Sequence, residues 1–461
     1  MRRTVIIVGA GFSGTVLAAN LLRRETAQST DIVLIERSGA MGRGVAYAER
    51  DFPYLLNVPA ARLSADSREP LQFLHYARTR LPNVDAEDFL PRAVYGDYLQ
   101  QMLLKAEHNA PAQVRLLRVF GEVTGIRESR DGAPLAAQFA DRAPLAGDAL
   151  VLALGIPSAG LPTWAETLRG HPAYRQDPWN LPVLTEQHSV LIVGNGLTMA
   201  DVSSSLSRHA DRVPTLHTVS RRGLIPKPQA TFQADAVRGS GEELLASTDS
   251  LSKLLRVCRA MVRRVEDRGG DWREVIAFIR NLAPALWRGL PENERRRFVR
   301  HLHIHWDTHR HRLPPQLSTR IEALRRSGKL RINAGRIERV DARDHQLQVS
   351  WRPRGRDLCA TLTVDLVVNA TGPNYAITRS ADPLLKSLRK AGLVSADPLN
   401  LGIRTDRFGV CLDAQGQASR HLYYLGPMLR ADHLDATAVT ELRDHAERLA
   451  AHLGARGEAS S

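Results

Sequence analysis

Apolar and polar positions follow two rhythms along this chain, and their order suggests its architecture. Residues 4–8, Thr-Val-Ile-Ile-Val, form a short apolar run of the kind found in strands buried on both faces. Glycines follow at 9, 11 and 14; residues 16–24 then read as helix, and residues 31–35 as a second apolar strand that stops at Glu36. Residues 71–80 and 95–107 have helical character, 114–119 is again strand, and a meander is expected through 123–127 and 135–139. This half closes on residues 148–157, a buried strand delivered into a glycine turn.

The order then recurs. A linker rich in proline and tryptophan, 157–182, leads to a strand at 189–193, glycines at 194 and 196, and a helix. The next strand, 215–219, ends on Ser220, Arg221 and Arg222 and not on an acid. Residues 329–333 resemble 114–119, and 365–373 repeat 148–157 almost position for position. Two nucleotide-binding units are expected, with one nucleotide each. Residues 241–327 interrupt the second with helical spacing, as in Leu251, Leu254, Leu255, Cys258 and Val262. An amphipathic helix beginning near Asp435 or Thr437 carries Val439, Leu442, Ala446, Leu449 and Leu453. The expected fold class is α/β, with two Rossmann-like dinucleotide-binding domains and a helical insertion in the second.

Each glycine of the first unit has a chemical reason. Gly9 makes the tight turn, Gly11 lets the backbone approach a pyrophosphate, and Gly14 lets the helix pack on the sheet. The helix start around Ser13 points free N–H groups at the phosphates, and Glu36 is placed to bind a ribose hydroxyl. In the second unit Met199 stands where the third glycine would be, so the helix is expected to sit further from its strand and to hold a coenzyme that enters and leaves. Arg221 and Arg222 are placed to receive a 2′-phosphate, which favours NADPH over NADH.

Composition narrows the partners. The 461 residues are 43% hydrophobic, enough for two or three domains, and the net charge is +14. A pI near 10.2 suggests nucleic acid, an anionic membrane or small anions. Acids interleave with the basic residues between 256 and 326 and no aromatic platform accompanies them, so neither nucleic acid nor a membrane is expected as partner. No apolar run approaches a transmembrane length, and the reading is cytoplasmic. Cys258, Cys359 and Cys411 lie far apart, which argues against a paired redox dithiol. The densest ionisable cluster is His301, His303, His305, Asp307, His309, Arg310, His311 and Arg312. His301, His305 and His309 would share a helix face, yet no metal-ligand spacing is completed, and no metal is expected. A basic wall over an anionic ligand and a plain exposed helix are both compatible with it.

With both glycine units, the turn Asn369-Ala370-Thr371-Gly372 and the segment Leu425-Gly426-Pro427 in view, the chain resembles the two-dinucleotide-binding flavoproteins. It is most similar to a bacterial FAD/NAD(P)-binding family sharing stretches like Gly44-Val45-Ala46-Tyr47, Leu56-Asn57-Val58-Pro59-Ala60, Trp306-Asp307-Thr308-His309-Arg310-His311-Arg312 and Thr437-Ala438-Val439. That family looks related to flavin monooxygenases acting on amines and includes an FAD-dependent urate hydroxylase. The resemblance implies FAD in the first unit and NAD(P)H in the second. Domains are then expected at 1–182 for the first part of the FAD-binding domain, 183–335 for the NAD(P)H-binding domain with its insertion, and 336–461 for the returning part of the FAD-binding domain.

The implied cofactor contacts are Gly9, Gly11, Ser13, Gly14, Glu36, Arg43, Asn57, Gly194, Gly196, Thr371, Gly372, Gly426 and Thr437. No catalytic side chain carries over. The expected activity is an NAD(P)H-dependent flavin monooxygenase using O2. Its substrate is read as a small anion drawn to Lys227, Arg310 and Arg312, with urate, hydroxylated to 5-hydroxyisourate in purine metabolism, as first candidate. The alternatives are N-hydroxylation of an amine, an NAD(P)H:acceptor flavin oxidoreductase, and a non-catalytic nucleotide sensor.

Overall fold

The structure, a computed structural model, describes residues 2–26, 28–128, 134–232, 237 and 241–458. From the N-terminus run β1 (Arg3–Val8), α1 (Phe12–Leu22), β2 (Thr30–Glu36), α2 (Gln72–Arg80), α3 (Arg92–His108), β3 (Val114–Phe120), β4 (Val123–Glu128), β5 (Leu135–Phe139), β6 (Leu145–Gly147) and β7 (Ala149–Leu152). Next come β8 (Tyr174–Arg175), β9 (Ser189–Val193), α4 (Leu197–Leu206) and β10 (Thr215–Ser220), then the helices α5 (Gly241–Ala246), α6 (Leu251–Glu266), α7 (Trp272–Gly289), α8 (Glu292–His301), α9 (His303–Arg310) and α10 (Pro315–Arg326). The chain continues through β11 (Leu330–Arg343), β12 (Gln346–Pro353), β13 (Ala360–Val364), β14 (Leu366–Asn369), α11 (Pro383–Lys390), β15 (Val410–Leu412), β16 (Ala418–Tyr424) and α12 (Val439–Glu458).

Two compact units form. The first comprises Met1–Pro157, Arg280–Gly289 and Tyr375–Ser461; the second comprises Ser158–Ile279 and Leu290–Asn374. In the first, the strand order is β15-β16-β7-β1-β2-β3, with β4-β5-β6 as a separate small sheet. β1 pairs in parallel with both β2 and β7, so the apolar run is buried on both faces. Val5 and Ile7 face one core with α1 and α3, while Ile6 and Val8 face another with Val123, Ile126 and Ala137. This is the strand alternation at work, and each such fully buried side chain contributes about 1.5–3 kcal/mol.

The second unit is built on the order β13-β12-β11-β10-β9-β14-β8. β9 pairs in parallel with β10 and β14, as β1 does with β2 and β7. This pairing moves the expected domain limits. Because β14 closes beside β9 and β8 pairs with β14, the boundaries fall after Pro157 and after Asn374, and not at 182/183 and 335/336. The insertion is also divided. Residues Arg280–Gly289 of α7 belong to the first unit, where Trp287 Nε1 donates to the Ala431 carbonyl at 2.8 Å and Arg280 pairs with Glu441 at 2.9 Å. No helix among the described residues is long and apolar enough to cross a membrane.

Candidate dinucleotide-binding sites

In the first unit the C-terminal ends of β1, β7 and β16 lie side by side and deliver Gly9, Ala153 and Gly426 to one edge of the sheet. That edge is where open parallel sheets bind ligands. Gly9 has φ +102, and a Cβ there would fall 2.3 Å from the Ala153 carbonyl oxygen; a Cβ on Gly14 would fall 1.9 Å from the Gly9 oxygen. Both glycines are therefore required by the fold. Gly11 is not: its φ is −72, and a Cβ would meet nothing nearer than Gly44 Cα at 3.6 Å. Glycine at 11 keeps clear a space that the protein itself does not fill.

The surroundings of that space suit a phosphate. Ser13 is buried in the first turn of α1, whose leading amides have no intrahelical acceptor. The loop carrying Arg43 folds over the turn through Gly42 N–H to the Ala10 carbonyl at 2.7 Å. One Arg43 nitrogen, Nη2, pairs with Asp97, while Nη1 is buried with no partner among the described residues. Glu36 is buried, with Oε2 accepting from Ala10 N–H at 2.9 Å and Oε1 from the amide and hydroxyl of Ser38 at 2.8 Å each. Oε2, with a single donor, keeps lone-pair capacity for a ribose hydroxyl. Sequence reasoning missed that Glu36 also ties the glycine turn itself to the end of β2.

Asn57 lies partly buried in a loop held by Leu56 N–H to the Leu90 carbonyl at 2.8 Å. Gly426 follows β16 with φ +152, and a Cβ would approach the Tyr424 hydroxyl to 2.8 Å. Thr437 precedes α12, which starts at Val439 and so later than Asp435 or Thr437. The first unit thus brings together the Gly9, Gly11, Gly14 turn, Ser13, Glu36 and the Arg43 loop, and presents Gly426 at the same sheet edge.

Thr371 and Gly372 belong to the second unit, although 336–461 was expected to return to the first. Gly194 has φ +112, and a Cβ would sit 2.2 Å from the Ala370 carbonyl oxygen and 3.1 Å from Thr371 N. Thr371 donates through N and Oγ1 to Asn369 Oδ1, at 3.2 and 2.7 Å, which fixes the turn. Gly196 has φ −80 and nothing within 4 Å of its missing Cβ, so that it, like Gly11, is not required by the fold. The helix after it starts more loosely: Ala200 N–H to the Gly196 carbonyl is 3.4 Å, against 3.0 Å for Thr15 to Gly11. The fully buried Met199 occupies the place of Gly14. Both amide atoms of Asn195, between the two glycines, are buried without a partner among the described residues.

Two of the three residues expected in a basic wall are buried. Arg310 and Arg312 are each only 6% exposed. The Arg312 guanidinium lies over Phe232 at 5.3 Å and Trp272 at 6.0 Å, and Arg310 Nη1 reaches His311 Nε2 at 2.9 Å. A planar guanidinium covers aromatic faces at little desolvation cost, so Arg312 packs between these two rings. Lys227 is exposed, and its backbone is bonded to that of Thr308 and Leu313. The neighbouring histidines are engaged elsewhere: His303 and His311 face Asp307 at 3.4 and 3.6 Å, and His305 faces Arg222.

Residues 6–157 match the FAD-NAD(P)-binding family, in agreement with the expected FAD and NAD(P)H. No curated protein matches by sequence. Among solved structures, the fold is similar over nearly its whole length to ornithine hydroxylase from Pseudomonas aeruginosa, with 18% identity, 99% of both chains covered and a TM-score of 0.63. L-lysine 6-monooxygenase from Pseudomonas syringae follows at 17% identity, 98% of this chain and 99% of that one, TM-score 0.62. The FAD-bound cadaverine monooxygenase from Erwinia amylovora is 14% identical over 97% of this chain and 94% of that one, TM-score 0.61. The fold is that of the two-dinucleotide-binding flavoproteins. Neither urate nor purine metabolism finds support in these likenesses.

Proposed function

We propose that this protein is an FAD-dependent monooxygenase that consumes NAD(P)H and O2 and hydroxylates the nitrogen of a small amine. The observation that carries this reading is the end-to-end likeness to three amine-acting monooxygenases, joined to two glycine turns that each keep one sterically unneeded glycine open. FAD belongs to the first unit, held by Gly11, Ser13, Glu36 and Arg43, with Asn57, Gly426 and Thr437 completing the site. NAD(P)H belongs to the second, at Gly194, Gly196, Thr371 and Gly372.

FAD, when bound, would supply the redox chemistry by which two electrons from NAD(P)H and one O2 give an oxygenated substrate and water. The chain's own part is placement and charge. The leading amides of α1 and Arg43 neutralise the pyrophosphate, Glu36 orients the ribose, and the α12 N-terminus beyond Thr437 offers a partial positive charge suited to an anionic reduced ring. A neutral amine is electron-rich enough to receive an electrophilic oxygen without a cationic wall, whereas the case for an anionic substrate rested on Lys227, Arg310 and Arg312, of which the two arginines are buried.

The test is NADPH and O2 consumption by the FAD-loaded protein, with ornithine, lysine, cadaverine and urate added separately. An amine is expected to accelerate both and to yield a hydroxylamine. NADPH oxidation that ignores every amine, and runs without oxygen on an artificial electron acceptor, would assign the protein to the acceptor oxidoreductases instead.

A further inference from the structure

Inside the helical insertion the fold separates charges that the sequence interleaves. On α6, Arg256, Arg259 and Arg263 are exposed, while Leu251, Met261 and Val265 on the opposite side are buried. The acids nearby are already engaged. Asp249 pairs with Lys253, and Glu243 with Arg264 at 3.2 Å. On α8, Glu292 pairs with Arg296 at 2.7 Å. Glu294 holds Arg297 at 2.8 Å and also accepts from the Leu251 N–H that opens α6, at 2.8 Å. Arg256, Arg259 and Arg263 are left over: among the described residues none of their side chains has an ion pair or a hydrogen bond.

Steps of three and four residues put these arginines on one ridge that spans about 10 Å of helix. With Ser252, Leu255 and Ala260 they line a groove of about 420 Å3. Leu255 and Ala260 are half-buried, so the groove has apolar ground between its cationic groups. Like charges one turn apart repel each other, and no carboxylate among the described residues is paired with them to offset it.

We propose that this ridge is a docking site for an acidic helix of a partner protein, one that sets carboxylates three and four residues apart around a small apolar side chain. Each guanidinium offers a planar fork that matches a carboxylate, and the groove receives the apolar side chain against Leu255 and Ala260. Charge complementarity fixes the sign of the occupant, and geometry fixes its kind. A single small anion does not bridge a ridge of about 10 Å. A bilayer takes up protruding apolar side chains, and the exposed positions of α6 carry none. Single-stranded nucleic acid stacks its bases on aromatic rings, and no aromatic ring among the described residues lines the groove.

The experiment is fluorescence anisotropy of a labelled helical peptide built from Glu and Leu, titrated with the FAD-loaded protein at low and at physiological salt. Three proteins are compared: the wild type, the triple variant Arg256→Ala/Arg259→Ala/Arg263→Ala, and the control Arg325→Ala/Arg326→Ala/Arg339→Ala. The control removes the same net charge from exposed arginines that are paired with Glu322 and Asp341. The ridge variant is expected to weaken the peptide about tenfold, the scale of three exposed ion pairs, and the control by about twofold or less. Both triples should keep the wild-type melting temperature and flavin content, because every substituted side chain is exposed. Replacing Glu by Gln in the peptide should abolish binding. Equal losses in the two triples, a Gln peptide that binds as well, or no binding of the acidic peptide to the wild type would each overturn the proposal. So would a single-stranded oligonucleotide or a phosphatidylserine vesicle that binds the wild type more tightly than the peptide and loses that binding in the ridge variant.

Discussion

Gly11 and Gly14 lie in one turn, and their substitutions should fail in different ways. At Gly14 an added methyl collides with the Gly9 carbonyl oxygen at 1.9 Å, backbone against backbone. Gly14→Ala is therefore expected to lower the melting temperature of the flavin-free protein sharply or prevent folding, a cost of several kcal/mol by analogy with overpacked cores, ~1–3 or more. Gly11→Ala meets only Gly44 Cα at 3.6 Å and should melt close to the wild type while losing flavin absorbance per chain. A Gly11→Ala protein that stays fully yellow would remove the pyrophosphate from that turn. Glu36 needs both measurements. Glu36→Ala orphans the Ala10 amide along with any ribose contact, so it should destabilise even the flavin-free protein by about 1–3 kcal/mol. Unchanged melting of the flavin-free mutant would show that the turn does not depend on this carboxylate. Gly196→Val, in open space, should leave folding and FAD content intact and abolish coenzyme binding; retained NADP+ affinity would contradict the second site.

At the scale of elements, the loop before α12 and the face of α12 share a pair of half-buried histidines. The rings of His433 and His445 lie 4.5 Å apart. Burial, with Arg448 and Arg288 nearby, lowers His433 to about 4; burial, with His433 and Arg448, lowers His445 to about 3. Folded values below the unfolded one mean that the unfolded chain takes up protons first, so stability is full above the unfolded pKa near 6.5 and is lost as pH falls through the window down to about 4 and 3. The expected loss between pH 7 and 5 is of order 1–2 kcal/mol per histidine, read as a falling melting temperature. His445→Gln should flatten that slope, and an unchanged slope would place the titrating groups elsewhere. Local elements of this kind were legible in the sequence because they are written locally: the apolar runs at 4–8 and 189–193 and the glycines after them need no distant partner to be read. What was not legible depends on pairings across the chain. Whether Arg310 is buried and Arg312 stacks on Phe232 and Trp272 is decided by helix packing, and the meeting of Arg222 with His305 spans 83 residues.

For the whole molecule, the duplication of strand, glycine turn and helix was readable, but its limits were not. The position of β14 beside β9 is a contact between residues far apart in sequence, and it draws 336–374 into the second unit where continuity along the chain suggested the first. The net charge of +14 pointed to an anionic substrate, yet Arg310 and Arg312 are buried and Arg312 is spent on aromatic packing, so the proposal of an amine rests on the likeness of the fold and not on charge. The central claim is that the flavin chemistry placed by this fold ends in oxygen transfer to nitrogen. The most direct measurement is mass spectrometry of the product formed from NADPH, a primary amine that accelerates its oxidation, and isotopically labelled O2. The account predicts a hydroxylamine carrying one labelled oxygen per NADPH consumed in coupled turnover; an unmodified amine with all of the oxygen recovered as peroxide would contradict it.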